Sequence, residues 1–372
     1  MIWIIGMGVA LVLCIIAVLY LVVVLARYLS GAISRFAPIR KAAGEKTWLQ
    51  RLIAFALLAL GFGLITLFGS LMDAVVVLLH LLIFFLLFGL LLRLSRKGKE
   101  GKIYWQGHLA LLCTVLYLAA GYYQCMHVWK TEYTLQTDKP VGTLKIALIS
   151  DSHLGTTFDG AGFAEYLDEI LAEKPDLILI PGDFVDDGTK RADMETACRA
   201  LGRAETKYGV CFAYGNHDKG YYDRRDFSAE DLERCLTENG VLVLEDEAFS
   251  AGPLYLAGWA DATYHRYRLD ILLEDAAAEQ YVIVLDHQPV SFEEESESAA
   301  DLVVSGHSHG GQMIPLGLIG DWFGGNDRTY GYERRNGTDF VVTSGISDWA
   351  LHFKTGTRSE YVILTVEGSP AA

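Results

Sequence analysis

The sequence predicts an all-α membrane region of four helices, followed by an α/β domain with two packed β-sheets flanked by helices. Three observations predict it. Four long apolar runs fill the first third of the 372 residues, strands and helices alternate between residues 144 and 239, and strands dominate after that. Charge divides the chain at the same place. Residues 1–125 hold 11 Lys/Arg against 3 Asp/Glu, residues 126–372 hold 20 against 43, and the whole carries −15. An acidic domain without a Lys/Arg cluster excludes a nucleic-acid backbone as its main partner and disfavours anionic lipid on that surface. The cysteines (Cys14, Cys113, Cys125, Cys198, Cys211 and Cys235) show no CxxC spacing, and those of the acidic part neither require nor exclude a disulfide.

Taken in order, Ile2 to Ala26 is an almost unbroken hydrophobic run. No basic residue precedes it, and it is too long for a signal peptide's apolar core, so it reads as a retained span. Leu52–Phe68 and Ala74–Leu92 are separated only by Gly69 to Asp73 and form a tight helical hairpin. Ile103–Tyr123 is a fourth, weaker span, interrupted by Gln106 and His108. Arg27, Arg35, Arg40, Lys41, Lys46 and Arg51 lie between the first two spans, and Arg93, Arg96, Lys97, Lys99 and Lys102 between the last two. Both loops are therefore expected in the cytoplasm, which puts the N-terminus, the Asp73 hairpin and everything after Tyr123 outside. His80 within the third span reads better as a histidine facing a neighbouring helix than as a functional intramembrane group.

The expected organisation is a four-span region over residues 1–125, a linker with an edge strand at Glu132–Gln136 over 126–142, and an α/β domain over 143–372. In that domain the strands are Leu144–Ser150, Asp176–Pro181, Val210–Tyr214, Val241–Leu244, Leu254–Trp259, Tyr281–Leu285, Leu302–Ser305, Phe340–Ser344 and Glu360–Val366. The helices are Ala161–Lys174, Arg191–Glu205, Ala229–Asn239 and one near Leu269–Glu279.

Five polar blocks follow five of these strands, where α/β folds place their chemistry. They are Asp151-Ser152-His153, Gly182-Asp183-Phe184-Val185-Asp186, Gly215-Asn216-His217-Asp218, Asp286-His287-Gln288-Pro289 and Gly306-His307-Ser308-His309. Each alone passes for an ordinary turn. Together they bring five of the ten histidines to strand ends beside carboxylates and glycines, which is a metal-site pattern.

In this order the blocks resemble the calcineurin-like metallophosphoesterase superfamily over about Thr143 to Val366, and the continuation Gly310-Gly311-Gln312 resembles its membrane-associated YkuE/YaeI-like branch. The resemblance implies an α/β/β/α sandwich of two mixed sheets and two divalent metal ions (Mn, Fe or Zn). It places one ion on Asp151, His153, Asp183 and His309, and the second on the shared Asp183 with Asn216, His287 and His307. It makes His217 the acid that protonates the leaving oxygen, held by Asp186, with a metal-activated hydroxide as nucleophile. Asp218 reads instead as a backbone-holding residue. The donor set fits this, since carboxylate, imidazole and amide oxygen suit borderline divalent ions and no cysteine is offered.

Two departures from the family pattern shape the substrate expectation. Asp187 stands where phosphoprotein phosphatases have a phosphate-gripping Arg, and Thr343-Ser344-Gly345-Ile346 stands where relatives have Ser-Arg-Gly. An acidic Asp187 repels a dianionic monoester more than a monoanionic diester. The expectation is a membrane-anchored phosphodiesterase or pyrophosphatase facing outside, with a lipid-linked or cell-envelope phosphoester as substrate. The alternatives are a UDP-lipid or nucleotide pyrophosphatase and a non-catalytic metal-binding membrane sensor. Tyr330, Tyr332 and Trp322 are candidates to line a lipid or sugar pocket, with ordinary packing as the simpler role.

Overall fold

The computed structural model of the chain describes residues 20–95, 103–222, 224–314 and 325–370. It divides into two compact units, Met1–Ala119 and Ala120–Ala372.

The first unit is helical. Helices α3 (Thr47–Phe68), α4 (Leu71–Ser95) and α5 (Trp105–Met126, running on into the second unit) are each long and apolar enough to cross a membrane. Helices α1 (Tyr20–Ile33) and α2 (Ala37–Ala43) meet at an 89° bend and pass the same test as a pair, which gives up to four spans. The short helix α2 was not expected; Pro38 in its first turn has a preset φ and no N–H to satisfy, so it starts a helix readily. Most of the first expected span, and Arg96, Lys97, Lys99 and Lys102 of the second basic loop, lie outside the described residues. The hairpin turn is built by a reciprocal cap: Ser70 N–H donates to Asp73 Oδ2 (2.9 Å) and Asp73 N–H to Ser70 Oγ (3.0 Å). His80 keeps Nδ1 2.8 Å from the Val76 carbonyl of its own helix and stacks on Tyr117, a structural role.

The second unit holds two mixed six-stranded sheets. The first runs β1 (Trp129–Gln136), β12 (Glu360–Glu367), β2 (Thr143–Leu148), β3 (Leu177–Pro181), β4 (Val210–Ala213) and β5 (Leu242–Leu244). The second runs β10 (Gly331–Arg335), β11 (Thr338–Val342), β9 (Leu302–Ser305), β8 (Tyr281–Leu285), β7 (Leu254–Gly258) and β6 (Glu247–Ala251). Antiparallel pairing occurs at β12·β2, β10·β11 and β6·β7, and the rest is parallel. Ile146, Leu148, Leu177 and Leu179 of the first sheet meet Leu256, Ile283, Leu285 and Val304 of the second in one buried cluster, so the strands are apolar on both faces as parallel sheets require. Helices α6 (Gly160–Ala172), α7 (Arg191–Leu201) and α8 (Ala229–Glu238) cover the first sheet through Phe163, Leu167, Met194 and Leu232. The short helices α9 (Leu269–Leu272) and α10 (Phe292–Ser296) cover the second.

Several elements of the second unit differ from expectation, the short helix α10 among them as an additional one. The helix near Leu269–Glu279 stops at Leu272, after which the chain closes in turns (Ala276 N–H to Leu273 O, 3.1 Å). Strands β6 and β10 are additional; both are short edge strands, β6 partly exposed and without an apolar run, β10 ending in the charged Glu333, Arg334 and Arg335. The described cysteines Cys113, Cys125, Cys198, Cys211 and Cys235 are free thiols.

Phe163 is fully buried between α6 and the first sheet. Phe163→Ala is expected to cost about 3–5 kcal/mol, read as a lowered thermal midpoint of the detergent-solubilised chain by intrinsic fluorescence.

Candidate metal centre

The five polar blocks leave the C-terminal ends of β2, β3, β4, β8 and β9, three strands from one sheet and two from the other. Because the sheets pack face to face, those ends converge. The backbone there is unusual: Asp151 (φ 55°), His153 (37°), Asp183 (52°), His307 (65°) and His309 (48°) all occupy the left-handed region. Each such residue costs on the order of 1–2 kcal/mol, so the surroundings must hold them. Asp218 does much of this. Its buried carboxylate accepts the backbone N–H of Asp183 (2.8 Å), Phe184 (2.9 Å), Val185 (3.1 Å) and Gly215 (2.7 Å). Close approach matters too. A Cβ on Gly182 would strike the backbone of Gly215, and one on Gly306 would strike Asp151 Oδ2 and Ser150 Oγ.

The result is two adjacent groups of donors. Asp151, His153 and His309 form one and Asp183, His287 and His307 the other, with the ligand atoms of each group within 4.8 Å of one another. Asp183 joins the groups: its Oδ2 lies 3.1 Å from His287 Nε2 and 3.5 Å from His153 Nε2, and its Oδ1 accepts the His217 N–H (2.8 Å). Asn216 Oδ1 sits 3.1 Å from His287 Nε2 and 2.8 Å from His307 Nδ1. Its amide nitrogen donates to Tyr221 Oη (2.7 Å), which fixes the oxygen toward the histidines. His287 is oriented by its Nδ1 contact to the Pro181 carbonyl (2.7 Å). The structure thus brings together Asp151, His153, Asp183, Asn216, His287, His307 and His309.

His217 and Asp186 are placed differently from expectation. Asp186 does not pair with His217: its Oδ2 is 3.4 Å from His153 Nδ1, while Oδ1 accepts Gly188 N–H (2.7 Å). That turn around Gly188 and Thr189 aims the carboxylate at His153. His217 Nδ1 is buried with no hydrogen-bond partner, and its ring packs between Tyr221 and Trp349 at 4.9 and 5.1 Å. Asp187 is also engaged, accepting the N–H of Tyr221 and of Tyr222 (3.2 Å each). Tyr330 donates to Glu360 and Tyr332 to Asp339, which is ordinary packing; Trp322 lies outside the described residues.

Sequence reasoning missed Asp348. Its Oδ1 lies 3.3 Å from His309 Nδ1 and accepts Gln312 Nε2 (2.6 Å), while buried Lys354 donates to the carbonyls of Ser344 (2.7 Å) and Ser347 (3.0 Å) beside it. The only signal was an acidic residue in the loop after a late strand.

The electrostatics suit a cation site. Asp151 and Asp183 are 0% and 1% exposed. Burial raises the Asp151 pKa, whereas Asp183 is held below the usual carboxylate range against its burial, by His287 first and His153 next. Burial opposes the charged form of His287 and His153, yet the adjacent carboxylates keep both above the ordinary histidine value. His307 is pushed down to about 4 and His309 well below normal, by burial and then by neighbouring imidazoles. Both ring nitrogens of His153 and Nδ1 of His309 are buried and make only loose approaches to carboxylate oxygens, at 3.5 and 3.4 Å for His153 and 3.3 Å for His309, short of well-formed hydrogen bonds. Divalent cations bound by this nitrogen and oxygen set would satisfy these nitrogens more fully. The residues present therefore fit a pair of divalent ions.

Two outcomes follow. Binding a cation displaces the protons that His287 and His153 hold, so Mn²⁺ affinity should rise as the pH increases from 6 to 8, with proton release visible by calorimetry in two buffers of different ionisation heat; affinity independent of pH would contradict this. Asp218→Ala leaves four backbone N–H groups without their acceptor. A loss on the order of 4 kcal/mol is expected, together with weakened Mn²⁺ binding, both measurable by thermal shift with and without the metal.

The comparisons agree with this geometry. The family model for calcineurin-like phosphoesterases matches residues 144–311. A metallophosphoesterase of Aquifex aeolicus is 30% identical over 253 residues, covering 64% of this chain and 91% of that protein. One from Helicobacter pylori strain J99 is 27% identical over 278 residues, covering 72% and 71%. A Bos taurus transmembrane protein with metallophosphoesterase domain is 27% identical over 248 residues, covering 62% and 54%. The chain belongs to the calcineurin-like phosphoesterase family and is, at that level, a metal-dependent phosphoester hydrolase.

Proposed function

We propose that the chain is a membrane-anchored dinuclear-metal phosphoesterase that cleaves phosphodiester or pyrophosphate bonds of a lipid-linked or cell-envelope substrate. The observation that carries the reading is the convergence of two carboxylates, four imidazoles and an amide oxygen, nearly all buried, in two groups joined at Asp183. In it, Asp151, His153, Asp183 and His309 hold one divalent ion, and Asp183, Asn216, His287 and His307 hold the other. When bound, the ions supply Lewis acidity toward the phosphoryl oxygens and lower the pKa of water toward about 7. Two divalent charges against two carboxylates leave a surplus near +2, which draws a phosphate anion to an otherwise acidic domain.

The protein's own groups do the rest. His217 donates a proton to the leaving oxygen, since an alkoxide leaves poorly unless protonated. Its ring is fixed by Tyr221 and Trp349 and by the backbone bond from its own N–H to Asp183. Asp186 orients His153, and Asp348 approaches His309 from the other side. Asp187 and the lack of an Arg at position 344 favour a monoanionic diester over a dianionic monoester. The basic loop around Arg40 and Lys41 supports a cytoplasmic position for that loop and an outward-facing catalytic unit.

The full chain in detergent, loaded with Mn, Fe or Zn in turn, should hydrolyse a diester faster than a monoester. Asp183→Asn should abolish both metal binding and turnover. His217→Ala should lower kcat about 10²–10⁴-fold with the bound metal content retained. Two bound metals with no turnover of any ester would favour the metal-binding sensor instead.

A further inference from the structure

Beside His217 lies a cleft of about 700 Å³, lined among others by Thr156, Tyr221, Tyr222, Arg224 and Trp349. Its size is that of a small-molecule site. Its walls are aromatic and partly open, Tyr222 being 65% and Trp349 45% exposed. Tyr221 and Trp349 are also the two rings that pack on His217.

We infer that this cleft receives the leaving group of the phosphoester, and that this group is a bulky apolar alcohol of the lipid type. The inference rests on the proposed role of His217. In the hydrolysis, water oxygen forms the new P–O bond, the P–O bond to the alcohol breaks, and His217 gives its proton to the departing oxygen. Whatever that oxygen carries must then lie on the His217 side of the phosphorus, and the cleft is on that side.

The chemistry of the walls selects the class. Three polar groups on the walls that could read a base or a sugar are already engaged. Tyr221 Oη takes the Asn216 amide, the Asp187 carboxylate takes two backbone N–H groups, and Asp186 takes Gly188 N–H and faces His153. What remains is chiefly aromatic surface, with the Arg224 guanidinium lying over the Tyr222 ring (5.4 Å), and aromatic surface rewards burial of apolar area. The construction of the wall points the same way. The segment carrying Trp349 is tied to the last turns of α5, a helix apolar enough to span a membrane: Lys354 N–H donates to Gly121 O (3.0 Å), Cys125 Sγ to Leu351 O (3.8 Å), and Phe353 packs edge-on against Tyr122. One side of the cleft is thus fastened to the end of a helix long and apolar enough to cross a membrane.

The test uses the full chain in detergent micelles with Mn²⁺, on glycerol phosphodiesters of methanol, octanol and hexadecanol and on a nucleoside ester of glycerol phosphate. Alcohol release is followed by mass spectrometry in ¹⁸O-water, so the bond that breaks is known. Expected is a kcat/KM at least tenfold higher for the octyl and hexadecyl esters than for the methyl ester, with cleavage on the alkyl side. Tyr222→Ser, a change at an exposed ring, should reduce that ratio to within about twofold. Equal rates on all alkyl esters, a preference for the nucleoside ester, or an unchanged ratio in Tyr222→Ser would overturn the inference while leaving the phosphoesterase reading intact. No turnover of any ester by the metal-loaded chain would overturn both.

Discussion

The constraint on which the second unit depends is the burial of two carboxylates at the meeting ends of two sheets. Asp151 and Asp183 are withdrawn from water, and a buried carboxylate is tolerated only where donors or cations surround it. Asp151 accepts the His307 N–H at 2.9 Å, and Asp183 accepts the N–H of His217 and stands against two imidazoles. Much else follows from that. The left-handed residues turn the chain so that amides and imidazoles face the carboxylates, Asp218 holds three consecutive amides that follow β3, and Gly306 lets a loop from the second sheet reach Asp151 on the first. These devices cost stability locally, and sites that concentrate strain in this way are commonly functional.

Much of this was legible in the sequence because the two sheets are largely parallel. Parallel strands must be buried on both faces, so β3, β8 and β9 read as short apolar runs, and each run stops abruptly at a glycine or an Asp-His step. The seven candidate ligands were legible for that reason: they stand within the few residues that follow such runs. Elements set by the rest of the chain were not. Strands β6 and β10 form on sheet edges, where the neighbour rather than an apolar pattern dictates the pairing. Helix α9 ends at Leu272 although the sequence beyond it has helical composition.

The site's supports were also hidden. Asp348 reaches His309 from a loop 39 residues later in the chain, and Tyr221 fixes Asn216 through a side-chain bond that no local spacing announces. The pairing expected for Asp186 failed for a local reason: the turn closed by Gly188 and Thr189 sends its carboxylate to His153. His217 is consequently held by aromatic packing and its own backbone bond. Those same aromatic residues border the open cleft, so the rings that hold His217 also line the space beside it.

The helical unit follows a simpler rule. Many of its described leucines and phenylalanines remain exposed, while several of its polar groups are satisfied locally, as Ser70 with Asp73 and His80 with Val76. The central claim concerns the paired cation site, and anomalous X-ray scattering from crystals of the Mn²⁺-loaded protein tests it most directly. Two peaks are predicted, one among Asp151, His153, Asp183 and His309 and one among Asp183, Asn216, His287 and His307, with His217 bound to neither. A single peak, or a peak ligated by His217, would contradict the account.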